Sequence, residues 1–283
     1  MGKWVPNWVP ITLTAIVLAV FPVRPLAGQQ AAPYRAPRLA GTQNPDLNGI
    51  WEALNRANWD LEPHAAGPSP FPALLGAYDA EPAGQGVVEG GKIPYQAWAE
   101  AKKKENFEKR LMRPSDLQSN EATGDPEAKC YLPGVPRATY MPFPFRIVQT
   151  GRQILIAYEY AGAARTIFLD HKPESPAESW MGWSIGHWEG DTLVVDVTDQ
   201  KDQTWFDRAG NFHSDALHVI ERYSPIDKDH LMYEATIEDP KVFTRPWKIR
   251  LPLYRRIDAN VQLLEFKCVE FAEPFLYGPL IEK

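Results

Sequence analysis

The stretch FHSDALHVIER places His213, Asp215, His218 and Glu221 within nine residues. Imidazole and carboxylate are the groups that hold zinc or iron, and catalytic centres of that kind use three such ligands plus water. His213, His218 and Glu221 would be the ligands of a divalent metal. The same residues could work without metal, with His213 oriented by Asp215 as a general base. The spacing is not that of a helical H-E-x-x-H site. On an extended chain His213 and Asp215 point one way and His218 the other. One strand alone therefore cannot present all four, and partners from elsewhere are needed, with Glu159, Glu238 and Asp239 as candidates. The plainer alternative is that His218 and Glu221 are satisfied polar groups beside Arg222 at a strand edge. No Ser or Cys is obviously paired with a base as a nucleophile, so a serine hydrolase is not indicated.

A second set lies in YEYAGAART. Tyr158 and Tyr160 oppose Glu159 on an extended chain, and Arg165 follows on the next strand. A buried Glu159 would need a partner, which makes a Glu159–Arg165 pair the structural expectation and a tuned acid in a pocket the functional one. Aromatic side chains crowd the same half of the chain. Tyr140, Tyr158, Trp180, Trp183, Trp205 and Tyr233, with Glu159 and Arg165, would line a pocket for a small apolar or aromatic molecule. Trp188 reads as core, and Trp247 stands with the other aromatics of this half. GHWEGDTLVV reads as two strands around a Gly190-Asp191 turn, and no phosphate-binding glycine pattern occurs.

The elements that must position these residues are strands. From about residue 145 the chain breaks into short β-rich runs separated by turn residues. Leu231, Tyr233, Ala235 and Ile237 alternate with Met232, Glu234, Thr236 and Glu238. Trp247, Ile249, Leu251 and Leu253 alternate around Lys248 and Arg250. Period two marks half-buried antiparallel strands. Short connections without intervening helices argue against βαβ units. Nine or ten such strands predict an antiparallel up-and-down β-barrel, calycin-like, or a strongly curled sandwich. The chain divides into a signal peptide (1–28), a mobile leader (29–46), a loop-rich segment (47–130) and an antiparallel β domain (131–283). Repeated Pro and Gly over 60–94 predict an irregular excursion, disordered or lying as a lid. One helix is expected over 95–112, opening at Pro94.

Three blocks, DPEAKCYLPGVPRATYMPFPF (125–145), GHWEGDTLVVDVT (186–198) and TWFDRAGNFHSDALHVIERY (204–223), resemble an uncharacterised family of exported bacterial proteins. The resemblance spans roughly residues 45–270, implies export and brings no activity with it. Met181-Gly182-Trp183 departs from the Met-Gly-Asp expected there. The GIW at 49–51 is similar to the first strand of lipocalin-type barrels, where the tryptophan plugs the closed end.

Composition narrows the classes. The chain has 283 residues, 30 Lys+Arg and 36 Asp+Glu, for a formal charge of −6. That balance argues against nucleic-acid binding. The 27 prolines limit long helix. Lys3, the apolar run Ile11 to Phe21 and the small Ala27-Gly28 form a signal peptide cleaved near Gly28 or Gln29, with an uncleaved anchor as the alternative. A periplasmic or secreted location without a transmembrane segment follows. There Cys130 and Cys268 would form one disulfide, or else stand as separate buried thiols. Three functions remain: an exported small-molecule binder with an aromatic-lined pocket, a metal-dependent or acid/base enzyme (hydrolase, lyase or isomerase), and an envelope interaction protein without a cavity.

Overall fold

A computed structural model describes residues 1–3, 34–69, 80–110 and 124–269. The expected signal peptide therefore falls almost wholly outside the described residues, as does part of the 60–94 excursion.

Nine strands close into one barrel in chain order. They are β1 (Gly49–Glu52), β2 (Phe145–Gln149), β3 (Gln153–Tyr158), β4 (Ala164–Phe168), β5 (Trp183–Glu189), β6 (Thr192–Thr198), β7 (His218–Pro225), β8 (His230–Glu238) and β9 (Trp247–Arg255). The calycin-like barrel expected from the period-two pattern is thus the architecture found, and the curled sandwich is not. One join departs from the up-and-down expectation: β4 and β5 are parallel neighbours. All other joins, including β9 back to β1, are antiparallel. The reason is arithmetic. An odd number of strands cannot alternate direction around a closed ring, so one neighbouring pair must be parallel. Residues 169–182 carry the chain back along the barrel to make that join.

Burial follows the pleat. In β8 Leu231, Tyr233, Ala235 and Ile237 are buried, and their alternates are half-buried. In β9 Trp247, Ile249, Leu251 and Leu253 are buried. These residues join Phe145, Ile147, Ile154, Ile156, Val195 and Val219 in a single core. At about 25 cal/mol per Å² of apolar surface removed from water, this inward face is what drives closure.

β1 comes from the loop-rich segment rather than from residues 131–283, and its four residues are too short to cover β9. It pairs only with Tyr254 and Arg255. Farther along β9, Arg250 donates its backbone N–H to Val87, and Glu89 donates to Lys248. The Pro/Gly-rich excursion therefore supplies hydrogen-bonding partners that β1 cannot reach.

The helix α1 spans Ala97–Lys109 and starts later than Pro94. Its expected first turn is committed elsewhere. Gln96 donates to the carbonyl of Val242, and Thr244 donates to the carbonyl of Pro94. Ala99 and Asn106 are its buried residues, and Asn106 Nδ2 donates to the Gly210 carbonyl at 3.2 Å. Its Lys and Glu residues pair along the outer face, as at Lys109–Glu105, 2.7 Å. A second short helix, α2 (Arg137–Tyr140), is buried along its whole length.

The two ends of the barrel are closed differently. At one end Trp51 is fully buried, and its Nε1–H donates to the Leu47 carbonyl at 3.0 Å. The Arg255 guanidinium lies 4.1 Å above the Trp51 ring and donates to the Asn48 carbonyl at 2.6 Å. Gly49 has φ +149, and any Cβ there would run into that guanidinium. GIW is thus a packing unit whose partner comes from the last strand. At the other end Phe206, Phe243 and Trp247 pack edge to face or tilted, with ring centroids 5.3–6.3 Å apart. Tyr140 of α2 donates its hydroxyl to the Phe206 carbonyl at 2.8 Å.

Candidate functional site

The barrel interior is not uniformly apolar. Arg165 of β4 and Glu221 of β7 form a two-point ion pair, Nη1 to Oε2 at 2.6 Å and Nη2 to Oε1 at 2.9 Å. Their side chains are 2% and 0% exposed, which removes both charges from water. Such a pair survives only if its remaining donors and acceptors are satisfied. Arg165 Nε donates to the Tyr158 hydroxyl at 3.1 Å, and Nη2 donates to the Tyr223 hydroxyl at 3.0 Å. Nη1 also reaches Ser184 Oγ at 3.4 Å. Glu221 Oε1 accepts from the hydroxyls of Tyr223 at 2.9 Å and Tyr233 at 2.8 Å.

Five strands thus contribute to one polar centre: β3, β4, β5, β7 and β8. The period of two explains who arrives. Glu221 and Tyr223 are two apart on β7 and face the same way. Glu221 lies opposite Ala235 of β8, and Tyr223 lies opposite Tyr233. The electrostatics are mutual. Burial works against the Arg165 charge, but Glu221 outweighs it and holds the guanidinium above its usual range. Burial first, and then the Glu221 charge, push the Tyr223 and Tyr233 hydroxyls well above the ordinary phenol range. Burial raises the Tyr158 hydroxyl as well, so all three tyrosines are neutral O–H groups at physiological pH. A neutral phenol can donate or accept, so the centre combines a fixed ion pair with adaptable hydrogen-bonding groups.

Part of this centre was anticipated. Of the pocket residues read from the sequence, Tyr158, Arg165 and Tyr233 meet here, joined by Glu221 from the other set. The expected Glu159–Arg165 pair does not form. β3 ends at Tyr158, and a turn at Tyr160–Gly162 with Ala161 at φ +53 takes Glu159 off the strand. Glu159 instead accepts from the Leu264 backbone N–H at 2.7 Å. Tyr140 and Trp205 are buried beyond the strand region. Trp180 packs on Tyr131 with centroids 4.7 Å apart. Trp183 donates its Nε1–H to the Pro173 carbonyl at 2.7 Å. Tyr223 and Ser184 were not singled out from the sequence, although Tyr223 was readable from its two-residue offset to Glu221.

The proposed metal or acid/base cluster is distributed over separate surroundings. His213 is 3% exposed in the loop before β7. Its Nδ1 lies 2.9 Å from the Ser214 carbonyl and its Nε2 2.6 Å from Thr204 Oγ1. The first contact requires an Nδ1–H donor, and in the neutral ring Nε2 is then the acceptor facing Thr204. Burial lowers the His213 pKa and favours that form. Gly134 closes over this group at φ +73, where a Cβ would stand 2.7 Å from Gln200 Nε2. Asp215 is exposed and pairs with Lys241. His218 lies on the outer wall between Glu238 at 3.1 Å and Asp196 at 3.3 Å. Glu221 faces inward, because it stands an odd offset of three positions along the strand from His218. The ligand set His213, His218 and Glu221 therefore does not converge. Among the described residues no group of three His, Cys, Asp or Glu side chains is placed to hold a metal ion.

A second buried charge cluster lies beyond α2. Arg137 donates to Asn58, to both oxygens of Asp125 and to Glu127. Arg208 adds two donors to Glu127. This cluster ties the segments around residues 58, 125 and 208 to the short helix, and the sequence carried no periodic signal for it. Close by, Cys130 and Cys268 form a disulfide across 138 residues of chain. Among the described residues no helix is long and apolar enough to cross a membrane. Comparison of the chain with protein-family models, with curated proteins and with solved structures finds no match.

Proposed function

We propose that this is an exported barrel protein that binds a small amphipathic molecule inside the barrel. The ligand's polar group would sit at the Tyr158, Tyr223 and Tyr233 hydroxyls, and its apolar body against the inward aliphatic face. One observation carries the reading: four strands deliver an ion pair and three phenols to one buried point. For stability alone, apolar residues of similar volume serve as well or better, by about 1–4 kcal/mol in comparable cases. A centre that is costly to bury and rich in oriented hydroxyls suits recognition. The signal-like N-terminus, the disulfide and the resemblance to exported bacterial proteins support a periplasmic or secreted location.

The test is a screen of the purified protein against apolar and aromatic small molecules, read by thermal shift and tryptophan fluorescence. A binder is expected to raise Tm and to lose at least about tenfold in affinity in Tyr233→Phe. A panel in which no compound shifts either signal sinks the reading in favour of a packed-interior interaction protein. Fractionation with N-terminal sequencing tests export, which fails if the intact Met1 chain stays in the cytoplasm.

An acid/base enzyme is the second reading, now centred on Glu221. It is favoured by one feature: a fully buried carboxylate faced by two tyrosine O–H donors and one guanidinium. Turnover of a bound compound, abolished in Glu221→Gln with binding retained, would select it.

A further inference from the structure

A cleft opens on the outer wall where the ladder beside β9 is interrupted. β1 pairs with β9 only at Tyr254 and Arg255. Val87 and Glu89 take the ladder up again at Arg250 and Lys248. Pro252 stands between the two. It has no N–H, so a break in the ladder there strands no donor. Residues 53–57 turn away from β9 instead. The Ala57 N–H donates to Asn55 Oδ1 at 2.9 Å, and the Arg56 carbonyl accepts from the N–H groups of Trp59 and Asp60. Residues 83–87 form the facing wall. Gly86, at φ +76, lets that wall lie against Pro63, because a Cβ would stand 2.5 Å from the Pro63 nitrogen. Three distant segments thus border a cleft of about 330 Å³, which is the size of a site for a small molecule.

The chemistry of the lining is one-sided. The chain carries a formal charge of −6, yet the cleft is lined by Arg56 and Arg250 and by no carboxylate. Arg56 is exposed, and among the described residues its guanidinium makes no ion pair or hydrogen bond. Arg250 points outward from β9. Its Nε lies 3.6 Å from Glu234 Oε1, too far for a hydrogen bond. Asn55 also lines the cleft, and its Nδ2 is buried without an acceptor. Turning the amide over would cost the bond to Ala57, so the donor edge is fixed. Leu54 and Val87 add apolar surface. Donors are in excess, and the acceptor they call for is an anion.

We propose that this cleft is a binding site separate from the barrel interior, and that its ligand is a small organic oxyanion, a carboxylate or a phosphate monoester, held by the Arg56 and Arg250 guanidinium groups. The planar guanidinium fork matches the oxygens of either group. The Asn55 amide stands behind the two arginines with a hydrogen still to give, and a compact apolar body rests on Leu54 and Val87.

Calorimetric titration of the whole protein at low ionic strength tests this with benzoate, phenyl phosphate and, as the uncharged control, benzamide. Both anions are expected to bind about tenfold or more tighter than benzamide, and the tighter anion identifies the oxyanion group. Arg56→Gln and Arg250→Gln should each weaken the anions about tenfold. Both positions are exposed, and melting curves verify that the variants fold. Asn55→Asp keeps an acceptor for the Ala57 N–H but replaces the amide donor with a negative charge, so it should weaken the anions by about tenfold or more. Tyr233→Phe, inside the barrel, should leave anion binding unchanged. Benzamide binding as tightly as the anions overturns the oxyanion assignment. Unchanged affinity in both arginine variants, or a loss of the same size in Tyr233→Phe, puts the anion elsewhere and overturns the site. No heat from either anion up to about 10 mM also overturns it, and leaves the barrel reading standing.

Discussion

Arg165 and Glu221 meet in a two-point ion pair although they stand on β4 and β7, which share no backbone hydrogen bonds. The contact spans the interior of the barrel rather than running along its wall. It therefore fixes the relation between strands that the ladder links only indirectly, through β5 and β6 on one side and round the rest of the ring on the other.

Removing one member of that pair leaves the other buried and alone. Arg165→Met and Glu221→Leu are each expected to cost about 3–5 kcal/mol. The double substitution should cost less than the sum of the two, and less than either alone if the centre repacks as apolar core. Urea denaturation of the four proteins measures this. Additive losses would mean the two side chains act independently.

At the closed end, Arg255→Ala removes the stack on Trp51 and the bond to the Asn48 carbonyl, for an expected loss of about 1–3 kcal/mol. Arg255→Lys should recover only part of it, since an ammonium cannot both stack flat and reach that carbonyl. Gly49→Ala is expected to destabilise as well, because its Cβ would displace the same guanidinium. Thermal melts of the three variants would show the arginine to be irrelevant if all matched the parent protein.

His213 and His218 should respond differently to alanine. His213 is buried and bonded at both ring nitrogens, so its loss strands Thr204 and Ser214 groups and costs about 1–3 kcal/mol. His218 is about a third exposed on the outer wall, between two carboxylates that water can solvate, and its removal should change stability by less than about 1 kcal/mol. Elemental analysis of both variants is expected to match the parent protein. A metal lost in both would restore the metal centre that their separation argues against.

Two buried carboxylates give opposite pH dependences. Burial pushes the Glu127 pKa up, but Arg208 and Arg137 more than offset it and hold it at about 2. Its folded value lies below its unfolded one, so its contribution is present above about pH 4.5 and is lost as pH falls toward 2. Asp207 is raised to about 8, by burial and then by the charge of Asp60. The folded chain therefore keeps a proton that the unfolded chain releases. That contribution is full below about pH 4 and declines as pH rises to 8, by at most about 1.4 kcal/mol per pH unit. Asp60→Asn removes the like charge and should flatten the decline. Stability that rises steadily from pH 4 to 8 would contradict the assignment.

Much of the architecture was legible in local pattern. Alternation in residues 231–237 and 247–253 marked half-buried strands, because a side chain's face on a strand depends only on its parity. GIW marked a plug, and its glycine was needed by the closed end. Cys130 and Cys268 were paired simply by being the two available. The same parity rule showed that His213 and His218 could not share a face, yet it could not say what each would meet. Which strands become neighbours depends on barrel closure, and closure is a property of all nine strands at once. Only that closure made β4 and β5 parallel and set Arg165 opposite Glu221, 56 residues away. It also separated Glu159 from Arg165, since Tyr158 took the inward face that meets Arg165 and Glu159, one residue on, falls on the opposite parity. The sequence by itself determined a β-rich chain with its periodicity and its compartment signals. The tertiary structure alone decided which polar groups share a low-dielectric interior, because burial and long-range pairing belong to no single segment.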